Sequence, residues 1–345
     1  MEEFQKLDPR IVDDATADAA NNFLNIIRLE SDPDDPPRPL EEELQGFRNI
    51  PDLLDVLVWL AWDPSGADII AMGELEIWNT PDNQHLAQFE IDVHPDQRLQ
   101  GLGKRLLRSV TAEVQRRDRR LMMTGTNDRV PAGAAFMQRL GAQPGLEART
   151  NQLRLAELDR DLLRRWLDVP DETRARFSLG FWDGPYPEEQ MPGVVELYEI
   201  TNDAPRDQLE IEDRHMTAEI LRQFEQYQFA RGNQRWTYYV VENATGRFCG
   251  FTETKWNPNR PTILEQDFTG VHPDYRGLKL GRWLKAAMLD KVLNERPQVA
   301  LVRTGNANSN APMLAINNAL GFKPYKTVTF WQVETDKVQT YLDQI

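Results

Sequence analysis

The stretch Val93-His94-Pro95-Asp96-Gln97-Arg98-Leu99-Gln100-Gly101-Leu102-Gly103 returns later as Val271-His272-Pro273-Asp274-Tyr275-Arg276-Gly277-Leu278-Lys279-Leu280-Gly281. One constant offset, which carries Val93 onto Val271, aligns Val, His, Pro, Asp, Arg, the last Leu and the last Gly. The match runs on into Leu106, Val110 and Val114, which fall on Leu284, Met288 and Val292. Apolar residues four apart make one stripe of a helix, so each copy reads as a strand, a glycine-bearing loop and an amphipathic helix. A loop of this kind at a helix start suits an anionic phosphate ligand, because the first N–H groups and the helix dipole both point at it.

The duplication extends outward in both directions. Val56–Trp62 and Ile69–Trp78 read as a hairpin around Asp63-Pro64-Ser65-Gly66, and Trp236–Glu242 and Phe248–Lys255 repeat it around Asn243-Ala244-Thr245-Gly246. Beyond each loop helix, Leu121–Thr124 and Val299–Thr304 are short buried-strand patterns. Thr124-Gly125 and Leu140-Gly141 recur as Thr304-Gly305 and Leu320-Gly321, at an offset slightly longer than that of the loops, with the second glycine a helix stop. Closing strands follow at Gln152–Leu155 and Val328–Val333. A helix over residues 11–30 precedes the first copy, Asp159–Asp168 reads as a connecting helix, and Phe177–Trp182 and Val194–Ile200 as opening strands of the second. The expected layout is a domain over 1–157, a linker over 158–176 and a domain over 177–345.

The bulk numbers agree. A chain of 345 residues is long enough for roughly two ordinary domains. The net charge of −15 argues against nonspecific binding to nucleic acid or membrane surfaces and suits, weakly, a cationic substrate. Against that background Arg98, Lys104, Arg105 and Arg108, and again Arg276, Lys279, Arg282 and Lys285, form two local basic clusters at the loops. The lone Cys249 excludes an internal disulfide and a cysteine zinc site, and no metal is expected. With no signal peptide and no apolar run approaching ~20 residues, a cytoplasmic protein is expected. The sequence carries no signal of oligomeric state.

The order strand, Arg/Gln-x-x-Gly-x-Gly loop, helix, strand and Gly-terminated helix resembles the GNAT N-acetyltransferase superfamily, in its tandem two-domain form. Arg98-Leu99-Gln100-Gly101-Leu102-Gly103 fits the loop motif in full. In the second copy Lys279 replaces the middle glycine, with Gly277 as the substitute source of flexibility. A dinucleotide loop is excluded because Leu106 stands where its third glycine belongs, and a nucleotide P-loop because Gly103-Lys104-Arg105 lacks Ser or Thr. The resemblance implies an α/β (α+β) fold of two domains, each a mixed, mostly antiparallel sheet flanked by helices. It implies an acetyl-CoA-dependent transferase acting directly on a primary amine of a small molecule or peptide.

The resemblance also implies roles. Val93 and Val271, on strands that splay from their neighbours, would pair with the pantetheine arm, and the Val271 N–H would meet the acyl oxygen. The loop residues Arg98, Leu99, Gln100, Gly101, Leu102, Gly103 and Lys104, with Arg276, Gly277, Leu278, Lys279, Leu280, Gly281 and Arg282, would hold the diphosphate. Asn310, a helix cap or a coenzyme contact, stands at the family's Asn position. The family tyrosine four residues before the closing glycine is replaced by Asn317 and Met137.

An amine with a pKa of ~10 must lose a proton before it attacks. Glu265 and Asp267, two apart and so on one strand face, are the expected bases, with Glu90 and Asp92 the first-copy equivalents. The better-equipped second domain is therefore expected to carry the chemistry. His94 and His272 read as turn residues. A CoA-sensing or scaffolding role without turnover is the alternative.

Overall fold

A computed structural model describes residues 4–344. In chain order the elements are β1 (Gln5–Leu7), α1 (Asp14–Ser31), α2 (Leu40–Arg48), β2 (Leu54–Trp62), β3 (Ile69–Trp78), β4 (Leu86–Val93), α3 (Leu102–Arg116), β5 (Leu121–Asn127), α4 (Pro131–Arg139) and β6 (Gln143–Arg154). There follow α5 (Arg160–Leu167), α6 (Asp171–Arg176), β7 (Phe177–Asp183), α7 (Met191–Tyr198), α8 (Ala218–Ala230), β8 (Gln234–Glu242), β9 (Phe248–Trp256) and β10 (Ile263–Val271). The chain closes with α9 (Leu280–Glu295), β11 (Leu301–Ala307), α10 (Ala311–Leu320), β12 (Lys323–Glu334) and α11 (Thr335–Asp343).

These elements form two compact units that are discontinuous in sequence, where the sequence reading draws linear limits at 157 and 177. One contains the chain up to Glu147, Arg206–Glu212 and everything from Thr327; the other contains Ala148–Pro205 and Asp213–Lys326. The reason lies in the closing strands. In the first unit the sheet runs β1-β2-β3-β4-β5 and ends on β12, with Val328 opposite Asn127 and Glu334 opposite Leu121. In the second it runs β7-β8-β9-β10-β11 and ends on β6, with Leu301 opposite Arg154 and Ala307 opposite Ala148. Each half of the chain thus donates its last strand to the sheet of the other. Each sheet is antiparallel except for one parallel pair, β4–β5 or β10–β11.

The first unit buries Leu106, Val110 and Val114 of α3 completely, against Leu75, Met122 and Met137. On the opposite sheet face Phe23 of α1 packs on Val56, Val58 and Leu60 of β2. The second unit repeats the first arrangement with Met288, Leu289 and Val292 of α9 against Leu264, Val302 and Leu153. A fully buried side chain of this size contributes roughly 1.5–3 kcal/mol, so these stripes fix where each loop helix begins. One expectation is corrected: Val194–Ile200 is not a strand. Pro192 opens a helix there, and Met191, Val194 and Leu197, three apart, bury one helical face.

Candidate functional site

Two openings in the sheets organise everything else. Strands β4 and β5 pair at Leu86↔Leu121, Ala87↔Met122 and Gln88↔Met123, and then part. Strands β10 and β11 pair at Ile263↔Leu301, Leu264↔Val302 and Glu265↔Arg303, and then part. Past those points backbone groups on the inner edges have lost their ladder partners. The His94 N–H donates to the Ile70 carbonyl on the β3 side at 2.9 Å. By alternation the Val93 N–H faces the opening. The His272 N–H donates to the Cys249 carbonyl at 2.8 Å, which turns Val271 the same way.

Each opening leads to the N-terminus of a loop helix. Neither Gly101 before α3 nor Lys279 before α9 supplies a side-chain cap, so the first-turn N–H groups of both helices point outward. The loops share one backbone shape reached with different residues. Two positions are left-handed in each copy: Leu99 (φ 62°) and Gly101 (φ 83°) in the first, Gly277 (φ 80°) and Lys279 (φ 63°) in the second. Gly277 therefore does not replace the missing glycine; Lys279 adopts the left-handed conformation itself. A Cβ on Gly103 would lie 3.6 Å from the Val93 side chain, and one on Gly281 3.7 Å from Val271. Anything larger than a methyl group would push into the space between loop and strand.

The loop arginines brace the loop. Arg98 Nε donates to the Val93 carbonyl at 3.1 Å and its guanidinium pairs with Glu30, Nη1 to Oε1 at 2.9 Å. Arg276 Nε donates to the Val271 carbonyl at 3.2 Å, and Nη2 reaches Asp203 at 2.7 Å. His94 and His272 accept from the N–H groups of Asp96 and Asp274, both at 3.3 Å, as turn residues do. Lys285, read from sequence as part of a basic cluster, is instead 1% exposed inside the second unit.

The first opening holds a cavity of about 140 Å³ lined by both its arms, Gln88, Phe89 and Glu90 on one side and Met123, Thr124 and Gly125 on the other. Glu74 and Glu76 of β3 and Phe330 of β12 complete the wall. The sequence reading names Glu90 and Asp92 here but misses Glu74, although Glu74 and Glu76 alternate on β3 as Glu90 and Asp92 do on β4. Glu74 stands directly opposite Glu90. Like charges in that position repel. Among the described residues no side chain makes an ion pair with Glu74, Glu90 or Asp92. Burial first, then the charges of Glu90, Glu76 and Asp92, push the Glu74 carboxyl up to about 8. Burial and then Glu90 raise Asp92 to about 7, and burial raises Glu90. Carboxyls moved toward neutrality by a desolvated, like-charged setting are hallmarks of a reactive or cation-binding site.

The second opening is furnished differently. Glu265 and Asp267 are exposed with Gln266 buried between them, and Asp267 Oδ2 lies 2.5 Å from Lys255 Nζ. A bulge between Gln266 and Thr269 shifts the register against β9. Glu253, the β9 carboxylate closest in register to Glu74, is enclosed: the Tyr186 hydroxyl donates to it at 2.5 Å, the Thr237 hydroxyl at 3.3 Å, and Arg235 lies beside it. Asn310 caps α10, its Oδ1 accepting from the Met313 N–H at 3.3 Å. Below it Lys285 Nζ donates to Asn317 Oδ1, and Asn317 Nδ2 donates to Asn306 Oδ1, both at 2.6 Å. Met137, the first-unit counterpart of Asn317, is core. The Arg296 guanidinium lies over the Trp256 ring, whose Nε1–H donates to the Pro261 carbonyl at 3.0 Å.

Comparison with known proteins gives these openings a context. The profile of the acetyltransferase (GNAT) family matches twice, over residues 21–142 and 194–322. A mycothiol acetyltransferase of Saccharomonospora viridis is 27% identical over 301 residues, covering 85% of this chain and 86% of the relative. Among solved structures, a tandem GNAT protein from the clavulanic acid biosynthesis pathway superposes with a TM-score of 0.79 at 27% identity, covering 96% of this chain and 98% of that one. A GCN5-related N-acetyltransferase from Sphaerobacter thermophilus shares the fold, with a TM-score of 0.66 at 15% identity over 97% of this chain and 96% of its own. Among the described residues no helix is long and apolar enough to cross a membrane.

Proposed function

Because the chain belongs to the GNAT acetyltransferase family, we propose that it passes the acetyl group of acetyl-CoA to a primary amine of a small molecule or peptide, and that the amine reacts in the first unit. The carboxylate-lined cavity between β4 and β5 carries this reading. When bound, acetyl-CoA supplies an acyl thioester, already activated toward amines. The rest falls to the chain, with both reactants held at once and no group on the protein acylated.

The start of α3, with Arg98, Leu99, Gln100, Gly101, Leu102, Gly103 and Lys104, grips the diphosphate through backbone N–H groups and the helix dipole. The outward Val93 N–H orients the acyl arm. An incoming ammonium is drawn to Glu74, Glu76 and Glu90 while they are ionised. Carboxyls poised near neutrality are also better proton acceptors than ordinary ones at cellular pH, so Glu74, Glu90 or Asp92 takes the proton. The apolar wall of Phe89, Met123 and Phe330 excludes water from the amine once deprotonated.

A second reading places the transfer in the other unit, with Asp267 or Glu265 as base, the Val271 N–H at the acyl oxygen, and Arg276, Gly277, Leu278, Lys279, Leu280, Gly281, Arg282 and Asn310 on the coenzyme. The exposed carboxylate pair favours it. Thiol release from acetyl-CoA with a panel of amines separates the two. Gly103→Trp and the Glu74→Gln/Glu90→Gln pair are expected to lower kcat/KM by at least ~100-fold, while Gly281→Trp leaves most of it. The opposite pattern transfers the reaction to the second unit.

A further inference from the structure

Two carboxylates facing each other across a strand pair repel, and the fold does not require them. In the second unit the β10 acid Glu265 stands opposite Lys255. In the first unit Glu90 stands opposite Glu74, and both line the cavity. Glu90 is exposed and Glu74 half-buried, so both are open to a ligand. The arginines whose charges reach Glu90 and Asp92 are already engaged, Arg28 by Glu43 at 2.9 Å and Arg98 by Glu30. Among the described residues no cation pairs with Glu74 or Glu90. Burial and the facing Glu90 hold the Glu74 carboxyl toward its neutral form. A cation seated between the two removes that conflict.

A nitrogen held this way is a poor nucleophile. Two carboxylates around one amine favour its ammonium form, which has no lone pair with which to attack a thioester. The nitrogen that reacts must then be a different one on the same molecule. Asp92 lies two residues beyond Glu90 on the same face of β4, about 7 Å towards the loop and next to Val93. That separation is about the reach of an extended four-carbon chain. Met123 and Phe330 line the same cavity and give the methylenes of such a chain an apolar wall.

We propose that the acceptor of the first unit is an α,ω-diamine or a longer polyamine. Glu74 and Glu90 clamp one ammonium, and a second nitrogen, about one strand repeat away beside Asp92, takes the acetyl group. One proton of that second ammonium passes to Asp92 before attack. The N–C bond then forms as the C–S bond of the thioester breaks, and a further proton goes from the nitrogen to the departing thiolate. The proposal rests on the amine reacting in the first unit, and it narrows the proton acceptor there to Asp92.

Thiol release from acetyl-CoA is compared for acceptors of one chain length that differ in end charge: 1,4-diaminobutane, n-butylamine and 4-aminobutanoate. Hydrogen bonds between charged groups predict kcat/KM for the diamine roughly 10–100-fold above butylamine, carried mainly by KM, with 4-aminobutanoate below both. On the unaltered protein a series of diamine lengths should peak near four carbons. In Glu74→Gln/Glu90→Gln the diamine-to-butylamine ratio should fall to within about threefold as KM for the diamine rises. Asp92→Asn should instead lower kcat for both amines and keep the ratio. Equal rates for the diamine and butylamine, a preference for 4-aminobutanoate, or a ratio that survives the double variant overturns the clamp and leaves amine acetylation standing. Diamine turnover that persists in Gly103→Trp also overturns it, by moving the reaction out of the first unit. Thiol release with none of a wider panel of amines brings down the transfer reading as well.

Discussion

Replacing Glu74 with Gln should stabilise the first unit, and only at high pH. The Glu74 carboxyl has an ordinary value of 4.5 and a folded value of about 8. A raised acid binds its proton more tightly folded than unfolded, so stability is greatest below the ordinary value and declines as pH climbs toward the folded one. At ~1.4 kcal/mol per pKa unit the gap sets a ceiling of roughly 5 kcal/mol. Glu74 is half-buried and opens on the cleft, so about 2–3 kcal/mol is the working figure. Gln is close in shape and never ionises. At pH 5, just above the ordinary value, the two proteins should melt within ~1 kcal/mol of each other. At pH 9 the variant should lead by about 2–3 kcal/mol, roughly 5–10 °C in Tm for a domain of this size. A gap that does not widen between the two pH values would refute the claim that Glu74 is held neutral by burial and by Glu90.

Other consequences can be measured alongside. Lys279→Gly should relieve a left-handed side chain at φ 63° and, after the extra unfolded-state freedom of glycine, gain about 0.5 kcal/mol in urea unfolding; a loss would mean the Lys279 side chain holds the loop. Asn310→Ala should remove the cap on the Met313 N–H for about 1 kcal/mol, and Asn310→Ser should restore most of it. If Asn310→Ala leaves stability untouched but weakens acetyl-CoA binding, Asn310 serves the coenzyme rather than the helix. Leu106→Ala, fully buried under the first loop helix, should cost roughly 2–5 kcal/mol by denaturant titration.

Much of this protein is legible in its residues. The repeat at 93–103 and 271–281 locates both loops, both helices and the strands before them, because a sharp corner feeding an amphipathic helix leaves an ordered pattern. Val194–Ile200 misleads because a short apolar run looks alike in a strand and a buried helix; Pro192 and the spacing of Met191, Val194 and Leu197 are the available signal. Glu74 escapes notice because opposition across a strand pair depends on register, which the sequence of one strand does not state. Lys285 passes for one more loop cation until its helix phase sets it inward beside Asn317. The ownership of the closing strands is not legible at all: Gln152–Leu155 and Val328–Val333 each fit either sheet by composition.

That trade of closing strands has a bearing on how the protein is made. The first unit's last strand and the α11 helix behind it, with Val338 and Leu342 wholly enclosed, leave the ribosome only after the elements of the second unit. At ~5–20 residues per second, Asn127 waits on the order of ten seconds or more for Val328 to be synthesised. Until then the edge of β5 is an unpaired template, open to neighbours on a crowded polysome. Cutting the gene between its two repeats would not yield two working halves; each fragment would carry a strand belonging to the other. A permuted gene that returns 327–344 to the first half is the form in which that half could be studied alone.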